Sequence, residues 1–305
     1  MPDLSFTPTT NAAAIPTVIA QKIIGQLGGY MNLAKTVSRD TDWEQSFRYG
    51  DTLKIDKTGA LTAGQKTPGS AVVTQNPTLN SVNVSLNNHW YVSYTQEDIT
   101  KALQKPNVLD AYARDAAIIL AETIETKIAA LWTSATSVVS MDYTSATTIE
   151  SSFLNLRARF ARNKVPATMT KYAYLDTSVI NKLLIVDRFT NKATVGGDAI
   201  VQGAVAKIAG INIFESQLVP TTGSPVAYHS LAYTPSGIVY APRMLALDGN
   251  GRGAVQTMFL DENTGTPLRM TESYDTELLG VKTTFDVLFG TALVDQRHVN
   301  VLESF

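Results

Sequence analysis

Three histidines, His89, His229 and His298, are the side chains whose ordinary titration range lies closest to neutrality, so acid–base catalysis or metal binding would draw on them first. No HExxH or comparable ligand spacing surrounds any of them. His89 falls on the polar side of an alternating run, His229 follows Tyr228 at a strand-like end, and His298 stands between Arg297 and Val299, so each reads as a surface or core-edge residue. Cysteine is absent, which removes disulfides, thiolate nucleophiles and cysteine zinc sites together and suits a reducing compartment. The run Gly-Asn-Gly-Arg-Gly at 249–253 could cradle an anion, yet neither a strand before it nor a helix after it supports a nucleotide loop, and it reads as a turn. Asp261-Glu-Asn-Thr-Gly265 offers carboxylates without the spaced ligands and distal Glu of a calcium loop, and reads as a hairpin turn. Arg157, Arg159 and Arg162 could meet phosphate, but their helical setting favours a solvated or subunit-facing side. No catalytic residue, cofactor-binding residue or metal ligand is assigned, and an enzymatic role is not expected.

The scale of the chain bounds what must position any site. Its 305 residues suggest two compact units, or one large unit with insertions, at roughly 150 residues per domain. Hydrophobic residues make up 44% and exclude disorder over most of the length. The 25 Lys+Arg against 27 Asp+Glu leave a net charge of -2, which argues against a dedicated nucleic-acid binder. Charged residues reach only 17%, low for a soluble monomer, so much of the surface is expected to meet something other than water. No apolar run approaches the roughly 18 residues of a membrane span, and residues 1–11 lack the pattern of a secretory signal, so the sequence reads as a cytoplasmic product.

Residues 17–27 read as a short helix in an arm, with Pro16 in its first turn and Gly28-Gly29 ending it. Leu53 and Ile55 alternate with Lys54 and Asp56 in a strand, and the chain from Thr58 to Ser81 is then polar, irregular and rich in Gly and Pro, a length that is uncommon unless a partner orders it. Val82, Val84, Leu86, Trp90, Val92 and Tyr94 share one face of a return strand which, if continuous to Thr95, is roughly 40 Å long. The two strands describe a projecting hairpin. From Pro106-Asn107 to about Trp132 a helix is expected, with Ala113, Ala117, Leu120, Ile124, Ile128 and Leu131 as its apolar stripe. The Thr/Ser-rich segment 133–148 is the best boundary. Beyond it, Ile149, Phe153, Leu156 and Phe160 align on a helix, 171–176 reads as a strand, 178–186 as a helix, and 206–214 as two short strands folded at Gly210. The chain from Ala254 reads as strands, with Phe285, Val287 and Phe289 alternating with Asp286 and Leu288.

Taken in order, several of these segments resemble the major capsid (coat) proteins of tailed bacteriophages with the Hong Kong 97 type fold. Arg39-Asp40 followed by Tyr49-Gly-Asp-Thr-Leu-Lys-Ile55 is similar to the family's arm running into its extended loop. Tyr94 to Leu103 and Ala111 to Leu131 resemble the approach to the family's spine helix and that helix itself. Val205-Ala-Lys-Ile-Ala-Gly-Ile-Asn-Ile-Phe-Glu-Ser216 resembles a glycine-hinged hairpin recurrent in phage coats, and Gly265 to Asp275 with Val281 to Leu293 resemble the closing strands.

The resemblance implies an α+β fold with an N-terminal arm (1–46), an extended β-hairpin loop (47–93), a peripheral domain with the long spine helix (94–147), an axial domain (148–242) and a return to the peripheral domain through C-terminal strands (243–305). It implies self-assembly as hexamers and pentamers into an icosahedral shell that encloses double-stranded DNA without sequence-specific binding. The expected place is the virion, after assembly in the host bacterial cytoplasm and without membrane contact. Expected partners are other copies of the chain, a portal protein and, with room for one, a decoration protein. Met1 lies only a few residues before the arm, where the family's founding member carries a long guiding segment, so a separate scaffolding protein is expected. Some relatives weld a loop lysine to a neighbour's asparagine; Lys57 and Lys66 lie in the right region, but neither the asparagine nor the assisting glutamate finds a match, so that chemistry is not carried over. Subunit-interface residues are expected in the arm (Lys35, Arg39), the loop (Lys57, Leu61, Lys66) and the closing strands (Arg269), where charge or apolar surface lacks an evident partner within the subunit. The rival readings are an encapsulin-like shell around protein cargo, a phage tail or decoration protein, and an enzyme of the mixed helix and strand class.

Overall fold

A two-stranded ribbon and two larger β-sheets make up the described part of the computed structural model, which describes residues 30–39, 52–59, 61–76, 79–99, 108–186, 207–224, 226–248, 253–261 and 263–304. After a four-residue helix α1 (Leu33–Thr36), strands β1 (Thr52–Thr58) and β2 (Leu79–Ser85) pair with each other as a two-stranded ribbon. Strand β3 (Asn88–Glu97) leads to the long helix α2 (Val108–Ala129), which tightens into a 3-10 turn over Ala130–Ser134. Strand β4 (Val138–Met141) and helix α3 (Ala146–Arg162) follow, then β5 (Lys171–Asp176) running directly into helix α4 (Thr177–Leu184). The remainder is strand after strand: β6 (Lys207–Ile208), β7 (Ile211–Ser216), β8 (Thr221–Thr222), β9 (Ala227–Tyr233), β10 (Ile238–Arg243), β11 (Ala254–Leu260), β12 (Pro267–Asp275), β13 (Gly280–Leu293) and β14 (Val299–Ser304).

The five-stranded sheet is organised on β13, whose fourteen residues bond β3 along one edge and β12, then β10, along the other, with β11 outside β12. Phe285, Val287 and Phe289 alternate along β13 and are all buried, joined by Leu268 and Met270 from β12 and by the stripe Ala113, Ala117, Leu120, Ile124 and Ile128 of α2. The helix thus lies on one face of this sheet, as its period of 3.6 against the strand's period of 2 requires. The seven-stranded sheet runs β4-β14-β9-β5-β7-β6, with β8 on the end of β9. Its own core packs Ile149, Phe153, Leu156 and Phe160 of α3 and Val179, Ile180 and Leu183 of α4 against Ala173, Leu175, Ile211 and Ala232. Helix α3 starts cleanly because Ser145 Oγ accepts from the Thr148 amide while Thr148 Oγ1 accepts from the Ser145 amide, a reciprocal cap. Asp176 Oδ1 accepts the Ser178 amide at 2.7 Å and starts α4 in the same manner.

The glycine-hinged hairpin forms where it was read: Ala209 and Gly210 take φ of +50° and +84° between β6 and β7, a two-residue turn whose twist suits paired strands. The return strand differs from the expectation of one continuous run from Val82 to Thr95. It breaks at Leu86-Asn87, where β2 ends its pairing with β1 and β3 begins ten residues of pairing with β13. At that crossing a Cβ on Gly290 would stand 2.7 Å from the Ser85 carbonyl oxygen, so the missing side chain lets the ribbon pass directly over β13. Strand pairing also cuts across the expected segments: β10, straddling residue 242, bonds β13, whereas β4 and β14 belong to the seven-stranded sheet. The arm helix expected at 17–27, the approach to α2 at Pro106-Asn107 and the glycine-rich turn at 249–252 lie outside the described residues.

Candidate assembly interface

The ribbon of β1 and β2 has a small core only at its base. Leu53 and Val84 are buried with Val239 and Ala241, and Ile55, Leu86, Ala292 and Val294 close around them. Beyond that base, every described residue from Leu61 to Asn76 is exposed and none belongs to a helix or strand. The segment is nevertheless folded back on itself. Gln75 Oε1 accepts the Thr62 amide at 3.0 Å, and the Ser70 amide reaches the Thr67 carbonyl across a turn at Pro68-Gly69. Leu61 (67%), Val72 (70%), Val73 (87%) and Leu79 (68%) present their side chains to solvent around this lobe. Lys66 carries the one formal charge between Leu61 and Asn80. A nearly uncharged lobe that holds exposed apolar side chains out on a stalk is a surface shaped for burial against another protein.

An ionic contact adds to the apolar core in holding the stalk. Lys57 Nζ lies 3.1 Å from Asp295 Oδ2, and Arg297 grips the same carboxylate, its Nη2 donating to Oδ2 at 2.7 Å. Burial would raise the Asp295 carboxyl, but the hydrogen bonds from Arg297 and Lys57 outweigh it and hold the group well below the usual carboxylate range. The stalk is therefore fastened to the segment between β13 and β14.

The residues expected at an interface divide into two sets. Lys35, Leu61 and Lys66 are exposed. Lys57 is engaged by Asp295 within the subunit, and Arg269 forks onto Asp286, Nε to Oδ1 at 3.0 Å and Nη2 to Oδ2 at 2.5 Å, while its Nη1 donates to the Ala246 carbonyl. Arg39 is half-buried with its guanidinium over Gly265. For Lys57 and Arg269 the premise of no partner within the subunit is corrected: each is paired with a carboxylate from a distant segment, which sequence spacing does not reveal. Val72 and Val73 were missed, although two adjacent valines inside a polar loop are themselves the signal.

The histidines do not converge. His89 on β3 pairs Nε2 with Asp286 at 2.8 Å, His229 on β9 stacks on Trp132 at 3.8 Å between ring centres, and His298 bonds Thr234 through Nδ1 at 2.7 Å. Among the described residues no group of three His, Asp or Glu side chains is placed to hold a metal ion. An open depression of about 410 Å³ is lined by Val255, Glu272, Ser273, Tyr274 and Val281 at the sheet edge, with Glu272 as its charged group. Among the described residues no helix is long and apolar enough to cross a membrane.

A family model described as phage capsid protein matches residues 23–245. Among curated proteins nothing matches. Among solved structures, that of Mycobacterium phage Che8 is similar at a TM-score of 0.65 with 16% identity, over 87% of this chain and 88% of that one. The capsid of cyanophage P-SCSP1u is similar at 0.65 with 14% identity, over 88% and 86% of the two chains. The capsid of Ralstonia phage GP4 is similar at 0.60 with 12% identity, over 88% and 87%.

Proposed function

The chain belongs to the phage capsid protein family as a major capsid protein with an α+β fold of the Hong Kong 97 type, and on that premise we propose how its subunits close a shell. As a capsid protein it is a homo-oligomeric structural component of the virion. In our reading the subunits gather as hexamers and pentamers, with the segment 148–242 grouped around each capsomer axis and the stalked lobe of 61–76 lying across the adjacent subunit. The carrying observation is that lobe: Val72 and Val73 are 70% and 87% exposed on a ribbon whose base is clamped by Lys57 and Asp295. A monomer gains nothing by holding apolar side chains in water on a braced stalk, whereas a lattice buries them on the next copy.

The shell encloses double-stranded DNA, and a net charge of -2 lets the wall contain it without gripping it. The subunit catalyses nothing. A separate scaffolding protein guides assembly in the host cytoplasm, a portal occupies one vertex, and a decoration protein is an accessory. The family description favours this genome-holding shell over a cargo-holding one and over a tail or decoration protein.

The test is negative-stain microscopy of purified chain with and without the paired change V72D/V73D. Wild-type shells or capsomer rings are expected, with the variant arrested as a folded, unassembled subunit. A chain that stays monomeric under all assembly conditions, or a variant that builds normal shells, overturns the reading. Efficient closure of uniform shells by the coat expressed alone counts against the scaffolding protein, and a single monomer band from denatured particles supports leaving out a covalent weld.

A further inference from the structure

Glu125 is 1% exposed near the C-terminal end of α2. It falls four residues after Ala121 and three before Ile128, which places its carboxylate in the helix's apolar stripe. There it reaches the described end of the arm, more than ninety residues earlier in the chain: Oε2 accepts the Leu33 amide at 3.0 Å and Oε1 accepts the Ala34 amide at 3.1 Å. The Asn32 amide and the Tyr174 hydroxyl also bond to it. The rest of this segment is held by neutral contacts. Met31, Leu33, Ala34 and Val37 are buried, the Ser38 amide donates to the Pro235 and Ile238 carbonyls, and the Ser38 carbonyl accepts the Tyr240 amide at 3.1 Å.

The groups that face the carboxylate come from every element around it. From β5 there is Tyr174, from β9 Tyr233, from β10 Tyr240, and from the arm only peptide amides. Among the described residues no lysine, arginine or histidine faces it. A carboxylate buried to this degree ordinarily has a cation beside it, because isolated charge is costly to remove from water. The amides and phenols orient Glu125 without neutralising it.

We propose that residues 30–39 form a latch that closes over Glu125 of the spine helix, and that closing is coupled to protonation of this carboxylate. With the latch lifted, Glu125 meets water and titrates in its ordinary range. With the latch closed, burial pushes its pKa up from 4.5 to about 7, against the pull of the hydrogen bonds to Leu33, Ala34, Tyr174 and Asn32. Between those limits closing transfers a proton from solvent to one carboxylate oxygen, so acid favours the closed latch. Below the ordinary carboxylate range both states carry the proton and the balance no longer moves. Above about 7 both are ionised and the closed state bears the full cost of the buried charge. The protonated acid still offers its carbonyl oxygen to an arm amide.

The chain has no native cysteine and Lys35 is exposed, so a nitroxide on K35C in the full-length unassembled subunit reports the latch. Its immobilised fraction should grow on acidification from about pH 8.5 to about pH 5.5, the closing equilibrium shifting by roughly 30-fold. E125Q should flatten that profile. Y174F, which removes a hydrogen bond favouring the ionised form, should move the midpoint upward, and it carries the test if E125Q does not fold. A pH-independent spectrum in the K35C chain, a transition that survives E125Q, or an unmoved midpoint in Y174F overturns the latch.

Discussion

Lys57 and Asp295, 238 positions apart in the sequence, meet at 3.1 Å, and their contact ties the first strand of the projecting ribbon to the chain just ahead of β14. Lys57 is 37% exposed, so solvent screens the pair and K57A is expected to cost only about 0.5–1 kcal/mol. D295A costs more, about 1–3 kcal/mol, because it also frees Arg297 and removes the acceptor for the Arg297 amide. The Asp295 carboxyl is held below its ordinary range, so this stabilisation is present above that range and is lost as pH falls through the folded value. Urea unfolding of wild type and D295A at neutral and acid pH checks it: the gap between the two should narrow in acid.

Gly290 is the second control on the ribbon. A Cβ there would stand 2.7 Å from the Ser85 carbonyl oxygen and 3.0 Å from Val84 Cγ1. G290A should destabilise by about 1–3 kcal/mol and G290V by more, since backbone must shift to admit either. Thermal melts give the cost, and proteolysis should show the 61–76 lobe cut faster than in wild type.

Arg269 and Asp286 form the forked pair between β12 and β13, with Asp286 only 6% exposed at its side chain. R269A leaves that carboxylate with only the hydrogen bond to His89 among its ring and guanidinium partners and should cost about 2–4 kcal/mol. R269K keeps the charge but loses the fork, and should cost about 1–2 kcal/mol. Chemical denaturation separates the two, and equal costs would show that charge alone matters here.

Phe160 is fully buried where the last turns of α3 meet the seven-stranded sheet. F160A should cost about 3–5 kcal/mol, whereas exposed L154A on the same helix should stay within about 0.5 kcal/mol. Comparable losses at both positions would contradict the packing.

These variants also mark what the sequence could disclose. The α3 stripe, the limits of β5, the hinge at Gly210 and the alternation along β13 are local patterns, and each appears where its period or turn chemistry places it. The apolar period of two through Val84, Val92 and Tyr94 was equally legible, but a period names a face and not a partner. The change from β1 to β13 at Leu86-Asn87 was therefore hidden. Long-range ion pairs were hidden for the same reason: nothing near Lys57 or Arg269 announces Asp295 or Asp286. Glu125 could have been found, since a charged residue inside an apolar stripe is visible on a helical wheel. Its acceptors' donors, Leu33 and Ala34, could not.

The place of β14 has a consequence for how the protein is made. Among the described residues β4 bonds β14 alone, and β14 in turn bonds β9, so residues 299–304 join two pieces of sheet synthesised long before them. A nascent chain holds β4 and β9 with open edges, and lacks the clamp at Asp295, until residues 295–304 emerge from the ribosome. Such distant pairings form late and all at once. Without residues 295–304 the chain has neither this joined sheet nor the ionic brace on its ribbon.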